Sequence, residues 1–423
     1  MLEQISKIKN FFVYLLTFLI IYQLYFPVYS KKHLTVALVL SFILFCLYIK
    51  DVKLLFEDKA VIVYILLLLT FGLRGAFSQD KLEGIKYILY LGSGLIYYFV
   101  YSRSQVKKEN IALTLIISIL PMVFLMIYTY HNEQKEFEIL RYPIMKFLID
   151  PSTIEAIFAG TFYPNIYETQ RVGGFFTNAN TCSIALGLNI ILILTLLIYF
   201  SKTLFKKILL IITSLIIFVG IIYTGSKGAI VAFAVSSGIS GIVFILKKSI
   251  NNSQRKVQYL LFLLLGIFLF SYLISKISPR KINQQETQNF HGRDLIWKAS
   301  LEVIKKNWLF GTGLSGKEWS DNYNPEARKI GASENTPPHN IFLYVWGKTG
   351  IFSVIFLLLF FILKIFTSMK NFYVYQNTFS LAVLMATLWI LIQGMVENFV
   401  LMDLRISAIY WLTLALERKN DLS

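Results

Sequence analysis

The chain has 423 residues, of which 56% are hydrophobic and only 15% are charged. Its mean hydropathy of +0.62 excludes a water-soluble domain of this size, because too few polar side chains are present to cover the core. The formal net charge of +17 requires no nucleic-acid partner. Basic residues in loops account for it, since each is attracted to anionic lipid headgroups by about 1 kcal/mol near the surface. The composition predicts an all-α, polytopic membrane protein.

Apolar runs recur along the chain that are long enough to cross about 30 Å of hydrocarbon as helices. We count about twelve, with boundaries defined to about 2 to 4 residues. The first run lacks a small-residue cleavage site, so we interpret it as a retained helix and not as a signal peptide. The predicted spans are 11–28, 34–49, 60–74, 86–102, 111–130, 177–200, 207–223, 227–246, 257–275, 340–363, 378–396 and 400–417.

The short loops alternate between many and few Lys and Arg residues, and the basic set marks the cytoplasmic side. This pattern predicts that both termini are cytoplasmic and that two long hydrophilic loops face outward. The predicted regions are N-terminal helices in 1–130, a first outer loop in 131–176, central helices in 177–275, a second outer loop in 276–339 and C-terminal helices in 340–423.

The second predicted loop contains local structure of its own. Residues 294–308 follow an amphipathic pattern that predicts a helix lying near the membrane surface. The glycines of Gly311-Thr312-Gly313 then end that helix. Because no strand precedes these glycines, they are a weak indication of phosphate binding and we interpret them as structural.

His339 lies where this loop is predicted to re-enter the membrane, within Thr336–Trp346. An imidazole at such a boundary can stay neutral near pH 7 and move a proton between water-borne and lipid-borne reactants. His339 is therefore a candidate catalytic base, with Asn340 beside it. From position alone, an interfacial histidine without a role is the alternative.

Three cations are predicted at the same outer rim: Arg171 before the sixth span, Arg293 at the start of the amphipathic segment, and Lys227 in a tight hairpin. Guanidinium groups present a planar fork of donors that suits phosphate oxygens, so two of them could clamp a pyrophosphate. The alternative for each arginine is contact with lipid headgroups. A lysine held in a membrane is costly unless water or an anion accompanies it, by about 2.5–3.5 kcal/mol if it lies at a helix centre. Lys227 is therefore a candidate anion ligand. The alternative is a turn lysine without a ligand.

The sequence lacks several motifs that other kinds of catalytic site use. It has no Asp-x-Asp motif, and the first short outer loop, Ser30–His33, has no carboxylate. The four histidines are scattered, and Cys46 and Cys182 fall inside predicted spans, so neither a metal site nor a disulfide framework is indicated. We expect a mechanism that uses cations and an imidazole, without a metal or other cofactor. Glu397 could balance an arginine or orient the histidine.

Four motifs together resemble the O-antigen ligase and O-antigen polymerase superfamily of membrane enzymes. In order and spacing they cover about residues 170 to 400. They are Arg171 with Gly174-Phe175 and Asn178-Ala179-Asn180, then Thr224 to Ala229 around Lys227, then Gly292-Arg293 with Ile296-Trp297 and Gly311-Thr312-Gly313, and finally His339-Asn340 with Gly350 after nine further residues. Two positions depart from the pattern, since the family often has Arg at Lys227 and Pro at Ala179.

The resemblance implies transfer of a glycan from an undecaprenyl-pyrophosphate donor to an acceptor hydroxyl at the outer face of the bacterial cytoplasmic (inner) membrane. It implies that cations hold the donor pyrophosphate and that a histidine base activates the acceptor, with inversion at the anomeric carbon. The residues carried over are Arg171, Arg293 and Lys227 for the donor, His339 and Arg293 for catalysis, and Asn340, Asn178, Asn180 and Glu397 in supporting positions.

The family that these motifs resemble includes two activities, which differ in the acceptor of the glycan. Some polymerases have paired motifs in which an Arg and a Gly are separated by ten residues. No such motif begins at Arg171 or Arg293. Their absence favours a ligase that acts on the lipid A core, with a repeat-unit polymerase as the alternative. A lipid-linked oligosaccharide transporter is a third reading, but carriers place polar and broken segments near mid-membrane, whereas these spans are apolar at their centres. A structural or sensory membrane protein would not depend on His339.

Overall fold

The computed structural model describes residues 2–26, 34–149, 151–159, 171–176, 178–200, 203–248, 284–398 and 400–418. Over these residues the protein is helical and has no β-strand, only an isolated bridge between Tyr25 and Thr35. The all-α prediction is therefore confirmed for the described chain. The predicted span 257–275 and the short loop Ser30–His33 lie outside the described residues.

The described part of the chain forms seventeen α-helices. They are α1 (Leu2–Tyr22), α2 (Val36–Tyr48), α3 (Lys59–Ala76), α4 (Lys81–Arg103), α5 (Lys108–His131), α6 (Glu133–Leu140), α7 (Met145–Leu148), α8 (Pro151–Phe158), α9 (Ala179–Tyr199), α10 (Leu204–Thr224), α11 (Lys227–Lys248), α12 (Gln284–Lys306), α13 (Gly316–Ile330), α14 (Ile341–Thr349), α15 (Ile351–Tyr375), α16 (Thr378–Gly394) and α17 (Leu404–Arg418). A 3₁₀ helix, Ile49–Glu57, joins α2 to α3.

Six helices in the described part of the chain are long and apolar enough to cross a membrane, namely α3, α5, α9, α10, α11 and α15. The prediction of a membrane protein is thus supported, whereas the predicted count of about twelve spans is not confirmed. α2 illustrates the difference, because its 13 residues reach only about 20 Å as a helix. α16 is apolar but is also shorter than the six.

The predicted span 340–363 is wrong as a single helix, because the chain breaks at Gly350 between α14 and α15. Gly350 has φ of +88°, a conformation that L side chains rarely adopt. A Cβ at this position would lie 2.0 Å from the Leu309 carbonyl oxygen. The break is invisible to hydropathy, because it is caused by the close approach of another segment and not by a polar residue.

α9 lies in the core, since 83% of its most apolar stretch is buried inside the protein. Its partner α16 comes very close at Gly187, where an added Cβ would lie 2.1 Å from the Trp389 ring. A glycine here therefore allows the indole to pack against the α9 backbone. This contact fixes α9 against α16, and the two candidate-site segments that begin α9 and end α16 are positioned by it.

Between α11 and α14, the described residues 284–340 include two helices that pack on each other. The apolar face of α12, predicted from 294–308, is confirmed and buries Ile296, Ala299 and Val303 against Trp319 and Tyr323 of α13. α13 was not predicted, because its sequence is polar and contains Pro325. Its start was nevertheless readable from a capping box, in which Ser315 and Glu318 satisfy each other's backbone N–H groups.

We predict that Gly350→Ala lowers the thermal stability of the detergent-solubilised protein. The substitution strains a backbone of positive φ, at a cost of about 1–3 kcal/mol, and collides with the Leu309 carbonyl. The matched control is Gly92→Ala, because no atom lies within 4 Å of the added Cβ and alanine favours a helix interior. Equal unfolding temperatures for the two variants would contradict the assignment of Gly350 as a steric requirement.

Candidate functional site

Arg171 is held at the end of α10 by backbone and side-chain contacts. Its Nε donates to the Thr224 carbonyl over 2.7 Å, and its Nη2 donates to Asn180 Oδ1 over 2.5 Å. The next residue, Val172, donates its N–H to the Tyr223 carbonyl over 3.0 Å. The last carbonyls of a helix lack helical partners and carry partial negative charge, so they attract a guanidinium. Arg171 is therefore fixed in orientation.

Asn178 and Asn180 begin α9 and lie beside this arginine. Asn178 caps the helix, its Oδ1 accepting from the N–H of Asn180 over 2.7 Å. The Asn180 side-chain oxygen accepts from Arg171, and its backbone oxygen accepts from Gln393 Nε2 over 3.2 Å. The structure thus brings both predicted asparagines to Arg171, one through the helix start and one directly.

Lys227 is exposed at the first turn of α11, three positions after Thr224. The adjacent Gly228 faces the turn that follows α16, since an added Cβ would lie 2.9 Å from Val396 Cγ2. A helix N-terminus is positively polarised and its N–H groups favour anions. A lysine at that end adds to this positive potential, so this corner of the protein is suited to an anionic ligand.

Arg293 and Asn340 reach two neighbouring carbonyls in that same turn. Arg293 Nη1 donates to the Val396 carbonyl over 3.3 Å, and Asn340 Nδ2 donates to the Met395 carbonyl over 3.1 Å. Asn340 also caps α14, its Oδ1 accepting from the N–H groups of Phe342 and Leu343. These bonds connect α12 and the start of α14 to the end of α16.

His339 sits immediately before this cap with φ of +48°, an uncommon conformation for a residue with a side chain. Such strain costs about 1–3 kcal/mol and is concentrated at functional sites. Its Nδ1 is buried without a hydrogen-bond partner among the described residues. Burial, followed by the positive charge of Arg293, lowers the pKa of His339 from 6.5 to about 4. The imidazole is therefore neutral at pH 7 and able to accept a proton.

Residues 393–397, which comprise the last two residues of α16 and the turn after it and are here called the rim turn, join the two groups of site residues. Gln393 is buried, and its amide nitrogen donates to the Asn180 carbonyl and, over 2.9 Å, to Ser183 Oγ. Glu397 is also buried in this turn, one residue beyond the carbonyl that accepts from Arg293. Arg171, Lys227, Arg293 and His339 consequently surround one end of α16.

Gln393 was missed by the sequence analysis, although a readable indication existed. It is a polar side chain in an otherwise apolar helix, and such residues inside membrane segments are commonly functional. Its Oε1 accepts from Trp389 Nε1 over 2.7 Å, so both ends of the amide are used. Gln393 therefore links the α9–α16 contact to the Arg171 group.

The glycine-rich turn after α12 clamps the far end of α14. Thr312 and Gly313 donate their N–H groups to the carbonyls of Gly347 and Lys348 over 2.7 and 3.1 Å. Lys348, which is 3% exposed, donates back to the Leu314 carbonyl over 2.6 Å. The geometry supports the structural interpretation of this turn, because its backbone donors are used within the protein and α14 is held at both ends.

Glu318 fastens α13 to the end of α3. Its carboxylate accepts from Ser78 Oγ over 2.6 Å and from the Gln79 N–H over 3.0 Å. Burial raises the pKa of Glu318, but the hydrogen bonds from Ser78, Ser315 and Gln79 outweigh it and the net shift is downward. The ionised carboxylate thus anchors the α12–α13 pair, which carries Arg293, to the helical bundle.

Within the described ranges, no group of three or more His, Cys, Asp or Glu side chains is arranged to hold a metal ion. The charged groups around the rim turn are instead dominated by arginine and lysine. This arrangement can bind an anion of several charges next to a neutral base.

We predict that the pKa of His339 lies near 4 and rises in Arg293→Gln, since the guanidinium charge disfavours the imidazolium. It should stay below 6.5 in this variant, because burial is the larger cause. The pKa of His339 is measured by NMR titration of the histidine signals of the protein in nanodiscs, and the signal that is lost in His339→Gln assigns this residue. Because folding depresses this pKa, protonation favours unfolding, and the associated stability is lost as pH falls from about 6.5 to about 4.

The control for that titration is Arg328→Gln on α13, where the arginine side chain is 65% exposed. It should leave the His339 titration unchanged. A wild-type pKa near 6.5, or an equal shift in both variants, would show that Arg293 does not act on this imidazole.

Residues 212–358 match a family model, Wzy_C, whose description is O-Antigen ligase. The match covers less than half of the chain; it includes Lys227, Arg293 and His339, whereas Arg171 and the rim turn lie outside it. No curated protein matches the chain. The match confirms the resemblance found in the motifs: residues 212–358 are similar to O-antigen ligases, which supports the O-antigen ligase and O-antigen polymerase superfamily.

Proposed function

We propose that this protein transfers a glycan from an undecaprenyl-pyrophosphate donor to an acceptor hydroxyl at the outer face of the bacterial cytoplasmic membrane. The observation that carries the proposal is the neutral His339 beside Arg293 at a turn that also organises Arg171. A base next to several fixed cations suits a reaction that removes a proton and releases a polyanion. The family match points to the same class of chemistry.

The cations act on the donor. As the glycosidic bond breaks, negative charge grows on the pyrophosphate, and fixed cations stabilise that charge most where water is excluded. Arg171 and Arg293 supply guanidinium forks, and Lys227 adds a positive charge at the N-terminus of α11. Thr224 and Asn180 orient Arg171 before the donor arrives, so little reorganisation is needed.

His339 acts on the acceptor. Its neutral imidazole takes the proton of the acceptor hydroxyl as the oxygen attacks the anomeric carbon, on the face opposite the departing pyrophosphate. The carbon–oxygen bond to phosphate breaks as the new glycosidic bond forms, and the configuration inverts. Bound pyrophosphate would offset the charge of Arg293, which raises the pKa of His339 and makes it a stronger base when the donor is present.

Ligation to the lipid A core is the favoured activity, and repeat-unit polymerisation is the alternative within the superfamily. The absence of paired arginine and glycine motifs after Arg171 and Arg293 supports ligation. Expression in strains lacking either enzyme separates the two. A ligase restores long glycan on the lipid A core, whereas a polymerase restores only the length of lipid-linked chains.

We predict that Arg293→Ala, Arg171→Ala and His339→Ala each lower glycan transfer by one to two orders of magnitude or more. A charge-assisted hydrogen bond contributes about 1.5–3 kcal/mol, and about 1.4 kcal/mol corresponds to a factor of ten. Transfer is measured with purified protein in liposomes that contain lipid-linked donor and acceptor. Arg293→Lys, which keeps the charge but loses the fork, should fall between the wild type and Arg293→Ala.

The matched control in that assay is Arg328→Ala, since this arginine is on α13 and 65% exposed. It should transfer glycan at the wild-type rate. Full activity in both Arg293→Ala and His339→Ala would refute the assignment of the site.

We further predict that a chelator leaves the transfer rate unchanged, because cationic side chains and an imidazole carry the proposed chemistry. The assay is the same liposome reaction with and without excess EDTA. Loss of activity that added Mg²⁺ or Mn²⁺ restores would show that the reaction needs a metal.

A further inference from the structure

Four aromatic side chains remain exposed at the end of the bundle that carries the candidate site. Phe77 is 77% exposed, Trp308 54%, Phe310 67% and Phe352 51%. Trp308 and Phe310 lie in the short connection after α12 and are not part of a membrane-spanning helix. Large apolar side chains grouped at one place on a surface mark an interaction site.

Two membrane-spanning helices lead directly to this group. Exposed apolar side chains run along one face of α3 and one face of α15 at helical spacing, and in a membrane such faces contact hydrocarbon. The exposed residues are Ile62, Leu66, Leu69 and Leu73 on α3 with Phe77 directly after it, and Phe352, Ile355, Leu359, Ile362 and Phe366 on α15.

Backbone contacts place Trp308 and Phe310 at the end of α15. The Ile351 N–H and Trp346 Nε1 each donate to the Trp308 carbonyl over 3.0 Å. A Cβ on Gly350 would lie 2.8 Å from Phe310 Cα. These residues are therefore level with the first turn of a spanning helix.

The same connection also meets the end of α3. Leu314 Cδ1 lies 3.4 Å from the position of a Cβ on Gly75, and Ser78 donates to Glu318 over 2.6 Å. α3 ends at Ala76 and α15 begins at Ile351, so both mark the boundary between hydrocarbon and headgroups. A Trp beside such an end lies at the depth where aromatic residues anchor membrane proteins, and Phe side chains next to it can insert into the acyl boundary.

We propose that Trp308 and Phe310, together with Phe77 and Phe352, form a lipid-inserted anchor in the leaflet on the side of the site. The occupant of this surface is the bilayer, because the four side chains continue the lipid-facing stripes of α3 and α15. Trp308 of this anchor lies two residues beyond the end of α12, which carries Arg293. It thereby sets the height of Arg293 relative to the membrane surface, and this inference does not depend on the transfer reaction.

Site-directed spin labelling of the full-length protein in phosphatidylcholine–phosphatidylglycerol vesicles tests this anchor. Labels are placed by Phe310→Cys and by the matched control Asp321→Cys, an exposed position on α13. Cys46→Ala and Cys182→Ala remove the two native thiols. Collision with oxygen, which concentrates in lipid, is compared with collision with a water-soluble nickel chelate.

The label at 310 should give a positive depth parameter, meaning greater access to oxygen than to nickel, and the label at 321 a negative one. Equal negative values would show that the aromatic group is in water. Protection of the label at 310 from both reagents, with an immobilised spectrum, would show that protein covers it. Either result overturns the proposal.

A second measurement does not depend on the cysteine variants and their folding. Wild-type protein and Trp308→Tyr are compared in vesicles of brominated phosphatidylcholine. The wild type should show more bromine-quenched tryptophan fluorescence than the variant, because the quenched indole has been removed. An equal amount of quenched fluorescence per mole of the two proteins would place Trp308 outside the lipid and overturn the proposal.

Discussion

The arrangement of the candidate site depends on hydrogen bonds to two neighbouring backbone carbonyls, those of Met395 and Val396. They accept from Asn340 and Arg293, which belong to segments more than fifty residues earlier in the chain. Two positions before them, the Gln393 amide reaches the start of α9, where Asn180 holds Arg171. Because helix-terminal carbonyls need donors, the end of α16 collects the Arg293 guanidinium of α12 and the Asn340 amide at the start of α14.

The electrostatic character of the site follows from that collection. Burial and the Arg293 charge both disfavour a second cation, so the pKa of His339 falls to about 4 and the imidazole stays neutral. Arginines are kept charged at every relevant pH. A neutral base and permanent cations can therefore coexist within one site, which is the requirement for deprotonating one substrate while holding the anionic group of another.

Support for this site comes from segments that contact no proposed substrate. The Gly311–Gly313 turn and Lys348 hold the far end of α14, and Glu318 ties α13 to α3. Sequence reasoning found the amphipathic part of α12, because its pattern is local. It missed the break at Gly350 and the role of Gln393, because both depend on a partner distant in the chain.

By itself, the sequence determined that the protein is an all-helical membrane protein and which polar residues are candidates for chemistry. Hydrophobic run length and residue type are sufficient for both conclusions. Only the tertiary structure decided that Arg171, through Asn180, and Arg293 are both linked to the end of α16, that His339 is buried beside a cation, and which helices of the described residues are long and apolar enough to span a membrane. The physical reason is that burial, hydrogen bonding and close backbone approach are properties of pairs of segments, which no single stretch of sequence contains.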